Sequence, residues 1–446
     1  MKRLIKNRAW RKLFRNRLAV ASMFVVGVYF AVALFSFAGG ITRQDTQKRV
    51  LPDKFPGWFE QRTLDDRALD AEWLIERVAA RIERAPETED PRRTLDEVSL
   101  GERRVAELSI DELQSIVDDA YDRLDGLFEV LDEKDFILDE VLDKQISIER
   151  LQEREGMESR IAELNAEIEE LKAELPPFVE AAAVEMEKVD EVLLQLMPMP
   201  TGLDGFVYGT RTFLGSDAQG RSIAMKAFYS TRIAFQIGLV VAVVCVIIGT
   251  LAGAAAGYFG GWVDYIVMYV VSVLSSIPTL VLLGVLVYMF AGSTVFDNPA
   301  EKPGLALVPV YAAMCMTYWI STCRVIRGEV MRIKELEYVQ AATTIGFTRP
   351  YILLRHVIPN TAHLMFINLS LLFIGAIKSE VILSFLGLGV KGQPSWGTMI
   401  SQAKEDVSTY FFWEVGTASL MMFGLVLAFN ILSDALQDAF DPKHVS

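Results

Sequence analysis

The sequence predicts an all-α membrane protein with an acidic helical segment inserted between its first and second membrane spans. Of the 446 residues, 52% are hydrophobic, and the apolar residues gather in long runs. Residues 41–213 hold 44 acidic against 22 basic residues, net −22, whereas the remainder holds 14 acidic against 22 basic, net +8. A basic membrane scaffold with an acidic insert is therefore expected. Neither part has the charge pattern of a nucleic-acid binder.

Six apolar runs are long enough to cross a bilayer, which takes about 20 residues in a helix. The first follows a basic N-terminus, as a signal peptide would, but its apolar part is too long and ends without a convincing cleavage motif. We therefore expect an uncleaved anchor. The six predicted spans are residues 18–40, 233–258, 264–292, 305–326, 361–386 and 413–433.

Basic residues indicate how the spans are oriented, because loops rich in Lys and Arg stay in the cytoplasm. Eight Lys and Arg residues precede the first span, so the N-terminus is predicted to be cytoplasmic. Six crossings return the C-terminus to the same side and place the basic loop 327–360 there as well. Residues 41–213 are then extracytoplasmic.

The insert shows two amphipathic helical patterns, which predict a hairpin or small bundle that is partly a coiled coil. Pro176-Pro177 is expected to end one helix. Two roles stay open, a platform for an extracytoplasmic partner and a solvated spacer or self-associating coil. The first pattern is Leu113, Ile116, Val117, Ala120, Leu124, Leu127 and Leu131, and the second is Ile161, Leu164, Ile168, Leu171 and Leu175.

A polar, helix-forming segment between two spans is the most informative stretch of the chain. Ala341 and Ala342 would leave a shallow notch for another protein's surface, and Gly346 permits a sharp reversal through its freedom in φ. Arg349-Pro350 then restarts a helix, and Pro359 is expected to stop it. Such an elbow in the cytoplasm predicts a docking site.

This stretch resembles the coupling loop of ABC importer permeases, whose pattern is Glu-Ala-Ala, three residues, Gly, nine residues and Ile-x-Leu-Pro. Gln340 stands where the family has Glu, and His356 where it has Ile. The resemblance implies that the segment docks a separate ATPase subunit. The residues implied in coupling are Glu337, Gln340, Ala341, Ala342, Gly346, Arg349 and Pro359.

Other segments resemble the dipeptide/oligopeptide/nickel branch of this family, in its C-type transmembrane subunit. Residues 215–221, around Asp217, resemble the element before the second span, and residues 377–389 resemble the fifth span around Glu380. An ionisable group inside a span is costly unless it faces water or a partner. Glu380 is therefore a candidate pathway or gating residue, with a buried hydrogen bond as the alternative. Asp217, before the second span, is a candidate pathway residue through a ligand contact, with a structural lip as the alternative.

The sequence lacks the motifs of an enzyme. It contains no Gly-Lys pair, hence no phosphate-binding Gly-x-x-x-x-Gly-Lys loop, and its three histidines form no cluster with cysteines. We expect no cofactor or metal on this chain, and ATP used only by a partner ATPase. The predicted domains are residues 1–40, a basic N-terminus with the first span; 41–213, the acidic insert; and 214–446, a five-helix permease core with coupling loop 328–360.

The resemblance implies a type I importer-like permease subunit in the bacterial inner membrane, moving di- or oligopeptides inward by alternating access. Its implied partners are a second homologous permease, two ATP-binding subunits, an extracytoplasmic binding protein and membrane lipid, with no nucleic acid. The alternative is a non-transporting membrane scaffold that relays ATPase motion to an envelope partner through the insert. The substrate, whether peptide, nickel chelate, opine or oligosaccharide, cannot be read from the sequence.

Overall fold

The structure is a computed structural model. It describes residues 14–50, 63–88, 90–100, 102–152, 157–217, 219–291, 307–390, 392–404 and 412–440, and throughout these ranges the regular elements are helices. The chain forms two compact units. One is Gln47–Ile223 and the other combines Met1–Thr46 with Ala224–Ser446. We call them the insert unit and the permease unit.

The insert unit contains two long helices and several shorter ones. The first helix of the unit begins with a capping box at Thr63. The Thr63 hydroxyl accepts from the Asp66 backbone N, and the Asp66 carboxylate accepts from the Thr63 backbone N. The helices are α2 (Leu64–Arg84), α3 (Pro91–Asp96), α4 (Ile110–Gln152), α5 (Glu158–Leu196) and α6 (Gly202–Thr212).

Helices α2, α4 and α5 share one hydrophobic core. The first predicted amphipathic face lies in it, with six of its residues buried and Ile116 packed against them. A small helical bundle is thus what the structure contains. The core includes Ala71, Ile75 and Val78 of α2, Leu113, Val117, Leu124, Leu127 and Leu131 of α4, and Met186, Val189 and Leu196 of α5.

Farther from this core, α4 and α5 continue as a hairpin. Val141 and Ile148 pack against Leu164 and Ile168, which belong to the second predicted face. The expectation that Pro176-Pro177 ends a helix is wrong, because α5 runs through both prolines. Side chains of α5 pack on α4 both before and after the two prolines. These contacts hold α5 in a helix where the prolines have no backbone N–H to donate.

The two ends of the insert unit are bonded to each other. The Val50 backbone N donates to the Gly220 carbonyl at 2.8 Å, beside an antiparallel bridge between Arg49 and Arg221. Arg221 also donates to the Gln47 side chain at 3.2 Å. We call this contact between residues 47–50 and 216–222 the clasp. The predicted insert, 41–213, therefore differs from the compact unit at both boundaries.

The permease unit consists of α1 (Arg17–Phe37) and a series of helices that begins at the boundary of the insert unit. The latter are α7 (Ile223–Phe259), α8 (Gly261–Ser275), α9 (Thr279–Ala291), α10 (Val308–Ile333), α11 (Glu337–Thr344), α12 (Arg349–Ile352), α13 (Ala362–Phe385), α14 (Trp396–Ala403) and α15 (Trp413–Phe440).

Four helical stretches of the described chain are long and apolar enough to cross a membrane: Arg17–Phe37, Ile223–Phe259, Arg349–Phe385 and Trp413–Asp438. Helices α8 and α9 together make a fifth if they form one span, which is bent by 91° at the break Ser276-Ile277-Pro278 between them. Pro278 cannot donate a backbone hydrogen bond, which explains the break. The remaining predicted span, residues 305–326, corresponds to α10, which is not among these stretches, so the count of six stays a prediction.

Helices α7 and α10 approach closely along three glycines of α7, Gly249, Gly253 and Gly257. A Cβ on Gly253 would lie 2.4 Å from the Cys323 carbonyl oxygen, and one on Gly257 would lie 2.8 Å from the Arg327 carbonyl oxygen. Since such distances are too short for real atoms, only glycine allows this contact. Close backbone approach through small residues is a common way to associate helices in membranes.

A buried ion pair joins the first turn of α7 to the first turn of α15. The Lys226 ammonium donates to the Glu414 carboxylate, and both side chains are almost fully buried. Lys226 also reaches the Gln402 side chain at 3.3 Å, and the Trp396 indole donates to the Ala227 carbonyl at 3.1 Å. These bonds hold α14 between α7 and α15.

Replacement of Leu127 by Ala should destabilise the insert unit by about 2–5 kcal/mol, because Leu127 is completely buried between the helices. Leu142 lies on the same helix but is 52% exposed, so Leu142→Ala is the matched control. Amide hydrogen exchange of α4 in the purified full-length protein measures both. Equal protection in the two variants would contradict the bundle core described above.

Replacement of Gly253 by Ala should lower the thermal midpoint of the detergent-purified protein, because the added methyl group overlaps the α10 backbone. Gly27→Ala is the control. Gly27 also lies in a membrane helix, has open space where a Cβ would be, and should gain a little stability from the better helix propensity of alanine. A midpoint for Gly253→Ala at or above the wild-type value would show that α7 and α10 are not in this contact.

Candidate functional site

The elbow between α10 and α13 consists of α11, a glycine turn and α12. The turn closes α11 as a Schellman motif: the Phe347 N donates to the Ala342 carbonyl at 3.2 Å, and the Gly346 N donates to the Thr343 carbonyl at 3.1 Å. Gly346 has φ of 94°, a conformation that side chains other than glycine rarely adopt. The predicted reversal at Gly346 and helix restart at Arg349-Pro350 are both present.

The underside of the elbow is fixed to the permease unit by a hydrophobic cluster. Val339 and Ala342 of α11 and Ile352 of α12 are buried in it. Ala254 of α7 also belongs to the cluster, with Tyr258 packed against it, so two long helices support the elbow. The α10 members are Ile326, Val330 and Ile333. The elbow therefore moves with the ends of α7 and α10 rather than hanging as a free loop.

The two alanines of the elbow face different surroundings, so they do not form the predicted notch. Ala341 is exposed, whereas Ala342 is 6% exposed and belongs to the cluster. Consecutive helical residues point about 100° apart, which explains why a pair of neighbours cannot both line one notch.

What the elbow presents outward is a protruding apolar surface. Ile345 is 74% exposed and Leu354 is 61% exposed. The rings of Phe347 and Tyr351 stack with centroids 5.1 Å apart, and the His356 ring lies near both. We call Ile345, Phe347, Tyr351 and Leu354 the elbow ridge. Exposed apolar residues grouped at one place mark surfaces that contact another molecule.

The remaining predicted coupling residues lie around the ridge. Glu337 stands in the first turn of α11, where a negative charge favours the helix, and it is exposed. Gln340 is exposed and donates through its Nε2 to the Glu335 carbonyl at 3.1 Å. A glutamate at position 340, as in the family pattern, could not donate that bond when ionised. Arg349 is exposed at the start of α12.

Pro359 does not stop the helix as expected. Residues Arg349–Phe385 form one continuous helical stretch, with a π segment at Leu353–Val357 and a 3-10 segment at Ile358–Thr361. The Asn360 side chain donates to the His356 carbonyl at 2.6 Å and to the Tyr338 hydroxyl at 2.8 Å. Side-chain donors and changes of helix type thus keep the backbone bonded around the proline.

An ion pair that the sequence analysis did not identify lies next to the elbow. Arg327 of α10 binds Asp264 of α8 with two hydrogen bonds, Nε to Oδ1 at 2.5 Å and Nη2 to Oδ2 at 2.7 Å. This two-point geometry is the strongest arrangement of Arg with a carboxylate. The sequence shows both charges, but they lie 63 residues apart. Only the fold shows that they meet.

Glu380 and Asp217, the two candidate pathway residues, are both buried and hydrogen-bonded. The Glu380 carboxylate accepts from the Ser384 hydroxyl at 2.6 Å. The Asp217 carboxylate accepts from the backbone N atoms of Gln219 and Arg221 at 2.9 Å and from the Arg221 guanidinium at 2.7 Å. Asp217 therefore shapes the turn of the clasp. These contacts agree with the structural alternatives weighed for both residues.

Metal-ligating side chains are not grouped in the described part of the chain: no three His, Cys, Asp or Glu residues come together there.

Comparisons with known proteins identify the family. Residues 246–445 match the family described as "Binding-protein-dependent transport system inner membrane component", and residues 6–52 match the "N-terminal TM domain of oligopeptide transport permease C". Residues 53–245 lie outside both matches.

Curated relatives agree with this match. The dipeptide transport system permease protein DppC of Bacillus subtilis is 33% identical over 232 residues, which cover 52% of this chain and 68% of the relative. The oligopeptide transport system permease protein OppC of the same organism is 33% identical, with 52% and 72% covered. The glutathione transport system permease protein GsiD of Pectobacterium atrosepticum is 34% identical, with 52% and 72% covered. The chain is a multi-pass membrane protein and belongs to the family of inner membrane components of binding-protein-dependent transport systems.

Proposed function

We propose that this chain is the transmembrane permease subunit of an ATP-driven importer that moves di- or oligopeptides into the cytoplasm. The observation that carries the proposal is the elbow: an apolar ridge held rigidly against two long helices, in a chain of this family. The names of the relatives, which are dipeptide, oligopeptide and glutathione permeases, support a peptide as the transported molecule.

The proposed coupling residues are Glu337, Gln340, Ala341, Ala342, Gly346, Arg349 and Pro359. Ala341 and the polar residues would contact an ATPase around the elbow ridge, while Ala342, Gly346 and Pro359 would act by holding the ridge in place. Movement of the ATPase would then be transmitted through the hydrophobic cluster to the ends of α7 and α10. Alternating access requires such a mechanical connection when the energy comes from an ATPase that lies outside the membrane.

The proposed assembly contains a second homologous permease, two ATP-binding subunits and an extracytoplasmic binding protein. ATP is then hydrolysed by the partners, with no cofactor on this chain. Six spans, counting α10 as one and the α8–α9 pair as another, place both termini and the elbow in the cytoplasm and the insert unit outside. The basic residues around the first span and the elbow support this orientation.

A second candidate function is a membrane scaffold that relays ATPase motion to an envelope partner. It is favoured by the insert unit, which has its own core and an α4–α5 hairpin of 43 and 39 residues. The hairpin has the alternation of buried and charged positions expected of a coiled coil. Such a long, rigid element could carry motion outward. Peptide uptake distinguishes the two candidates.

Replacement of Gly346 by Ala should reduce uptake of labelled peptides by cells, because φ of 94° costs a residue with a Cβ about 1–2 kcal/mol and shifts the ridge. Gly416→Ala is the control, since Gly416 lies in α15 with open space around it and without positive φ. Both proteins must be present in the membrane in equal amounts. Normal uptake in the Gly346 variant would argue against coupling through the elbow, and absence of peptide uptake in the wild type would favour the scaffold.

Replacement of Leu354 by Lys should weaken co-purification of the ATPase subunits by roughly tenfold or more, because burying one leucine contributes about 1.5–3 kcal/mol. Leu69→Lys is the matched control, since Leu69 is 57% exposed on α2 of the insert unit and Leu354 is 61% exposed. Equal ATPase recovery with both variants would show that the elbow ridge is not the docking surface.

A further inference from the structure

Helix α6 carries an apolar face that the rest of the insert unit leaves uncovered. Leu203 is 84% exposed and Phe206 is 72% exposed. Val207 and Thr210 are half-buried and complete the face, because positions i, i+3, i+4 and i+7 lie on one side of a helix. We call Leu203, Phe206, Val207 and Thr210 the α6 face. Large apolar side chains grouped at the surface of a folded unit indicate contact with an apolar partner.

The polar groups of α6 do not interrupt this face. The Thr210 hydroxyl donates to the Val207 carbonyl at 2.8 Å, so its hydrogen bond is made within the helix. The two charged residues of α6, Asp204 and Arg211, lie about a quarter turn from the middle of the face, at 100° per residue. Such a division of apolar and charged residues is typical of a helix that lies in the plane of a membrane surface.

The rest of the insert unit holds α6 from the other side. Arg211 is buried, and its guanidinium pairs with the Glu102 carboxylate at 3.2 Å. The Arg211 carbonyl accepts from the Ser222 hydroxyl of the clasp at 2.5 Å. These two contacts fix the rotation of the helix about its axis. The α6 face therefore points away from the insert unit in a defined direction.

The end of α6 lies beside the beginning of α7. The Gly215 N donates to the Thr212 carbonyl, at the end of α6, at 2.9 Å. The Gly215 carbonyl accepts at 3.1 Å from the N of Ile223, the first residue of α7. Helix α7 is one of the stretches that are long and apolar enough to cross a membrane. One residue thus connects α6 to the end of a membrane span, which brings the bilayer surface within its reach.

We propose that α6 is an interfacial helix that lies in the surface of the bilayer, with Leu203 and Phe206 inserted among the lipid acyl chains. The occupant of the α6 face is then lipid rather than a second protein or a second copy of this chain. Lipid contact at α6 would give the insert unit an attachment to the membrane in addition to its two chain connections. The inference does not depend on what the protein transports.

The test measures lipid contact at single positions of the full-length protein in phospholipid nanodiscs. An environment-sensitive fluorophore is attached at Leu203→Cys, at Phe206→Cys and at two exposed controls, Asp204→Cys and Leu69→Cys. Asp204 lies about 160° from Phe206 around the same helix, and Leu69 is a 57% exposed apolar residue of α2. The unsubstituted protein, labelled in parallel, gives the contribution of the three native cysteines. Quenching is measured with lipids that carry a nitroxide on the acyl chain and with aqueous iodide.

The labels at Leu203 and Phe206 should lose most of their emission to the nitroxide lipids, whereas the labels at Asp204 and Leu69 should keep theirs. Iodide should quench in the reverse order. All four positions are exposed, so the substitutions should leave the fold intact.

A label at Phe206 that iodide quenches and lipid does not overturns the inference, because the α6 face would then lie in water. Protection from both quenchers also overturns it, because another protein surface would then cover the face. Equal lipid quenching at all four positions overturns it as well, since the contact would not be specific to the face. None of these measurements involves transport, so each of these failures leaves the proposed function standing.

Discussion

The close contact between α7 and α10 is the interaction on which the rest of the permease unit depends. At Gly253 the two backbones lie so near each other that no residue with a Cβ fits there. The contact brings Ala254 of α7 beside Ile326 and Val330 of α10, and these residues form the floor on which Val339 and Ala342 of the elbow pack. A force on the elbow ridge is therefore applied to two long helices together. Packed interfaces of this kind shift between discrete arrangements rather than bending gradually.

Much of the fold could be predicted from the sequence, because hydropathy and helical periodicity reflect burial directly. The first apolar face of the insert and the reversal at Gly346 both followed from local chemistry. Pro176-Pro177 and Pro359 were misjudged for a common reason. A proline removes one backbone hydrogen bond from the helix. In α5 this loss is offset by packing along the helix, and at Pro359 it is offset by side-chain donors and a change of helix type. Both kinds of compensation depend on residues that only the tertiary structure brings into place.

The sequence predicted where in the chain the candidate site lies, but not which of its side chains are buried and which are exposed. The Glu-Ala-Ala pattern located the elbow, yet it could not show that Ala342 faces inward while Ile345 and Leu354 face outward. That division depends on which side of α11 meets α10. Pairings between distant residues were likewise invisible: Arg327 with Asp264 and Lys226 with Glu414 join segments 63 and 188 residues apart. Sequence identifies which groups are charged, and only the fold shows which of those charges are neutralised.

The clasp explains how a permease of this family can contain so large an insert. The two ends of the insert unit are bonded to each other through Val50 and Gly220, and the turn that carries Gly220 is shaped by Asp217. A segment whose ends meet can be added between two helices without forcing them apart, as in other tolerated domain insertions. Helices α2, α4 and α5 bury their apolar faces in a core of their own, so the insert unit has the hydrophobic core of a separate domain. The family-like element around Asp217 therefore has a structural task here: it closes the insert immediately before α7 begins.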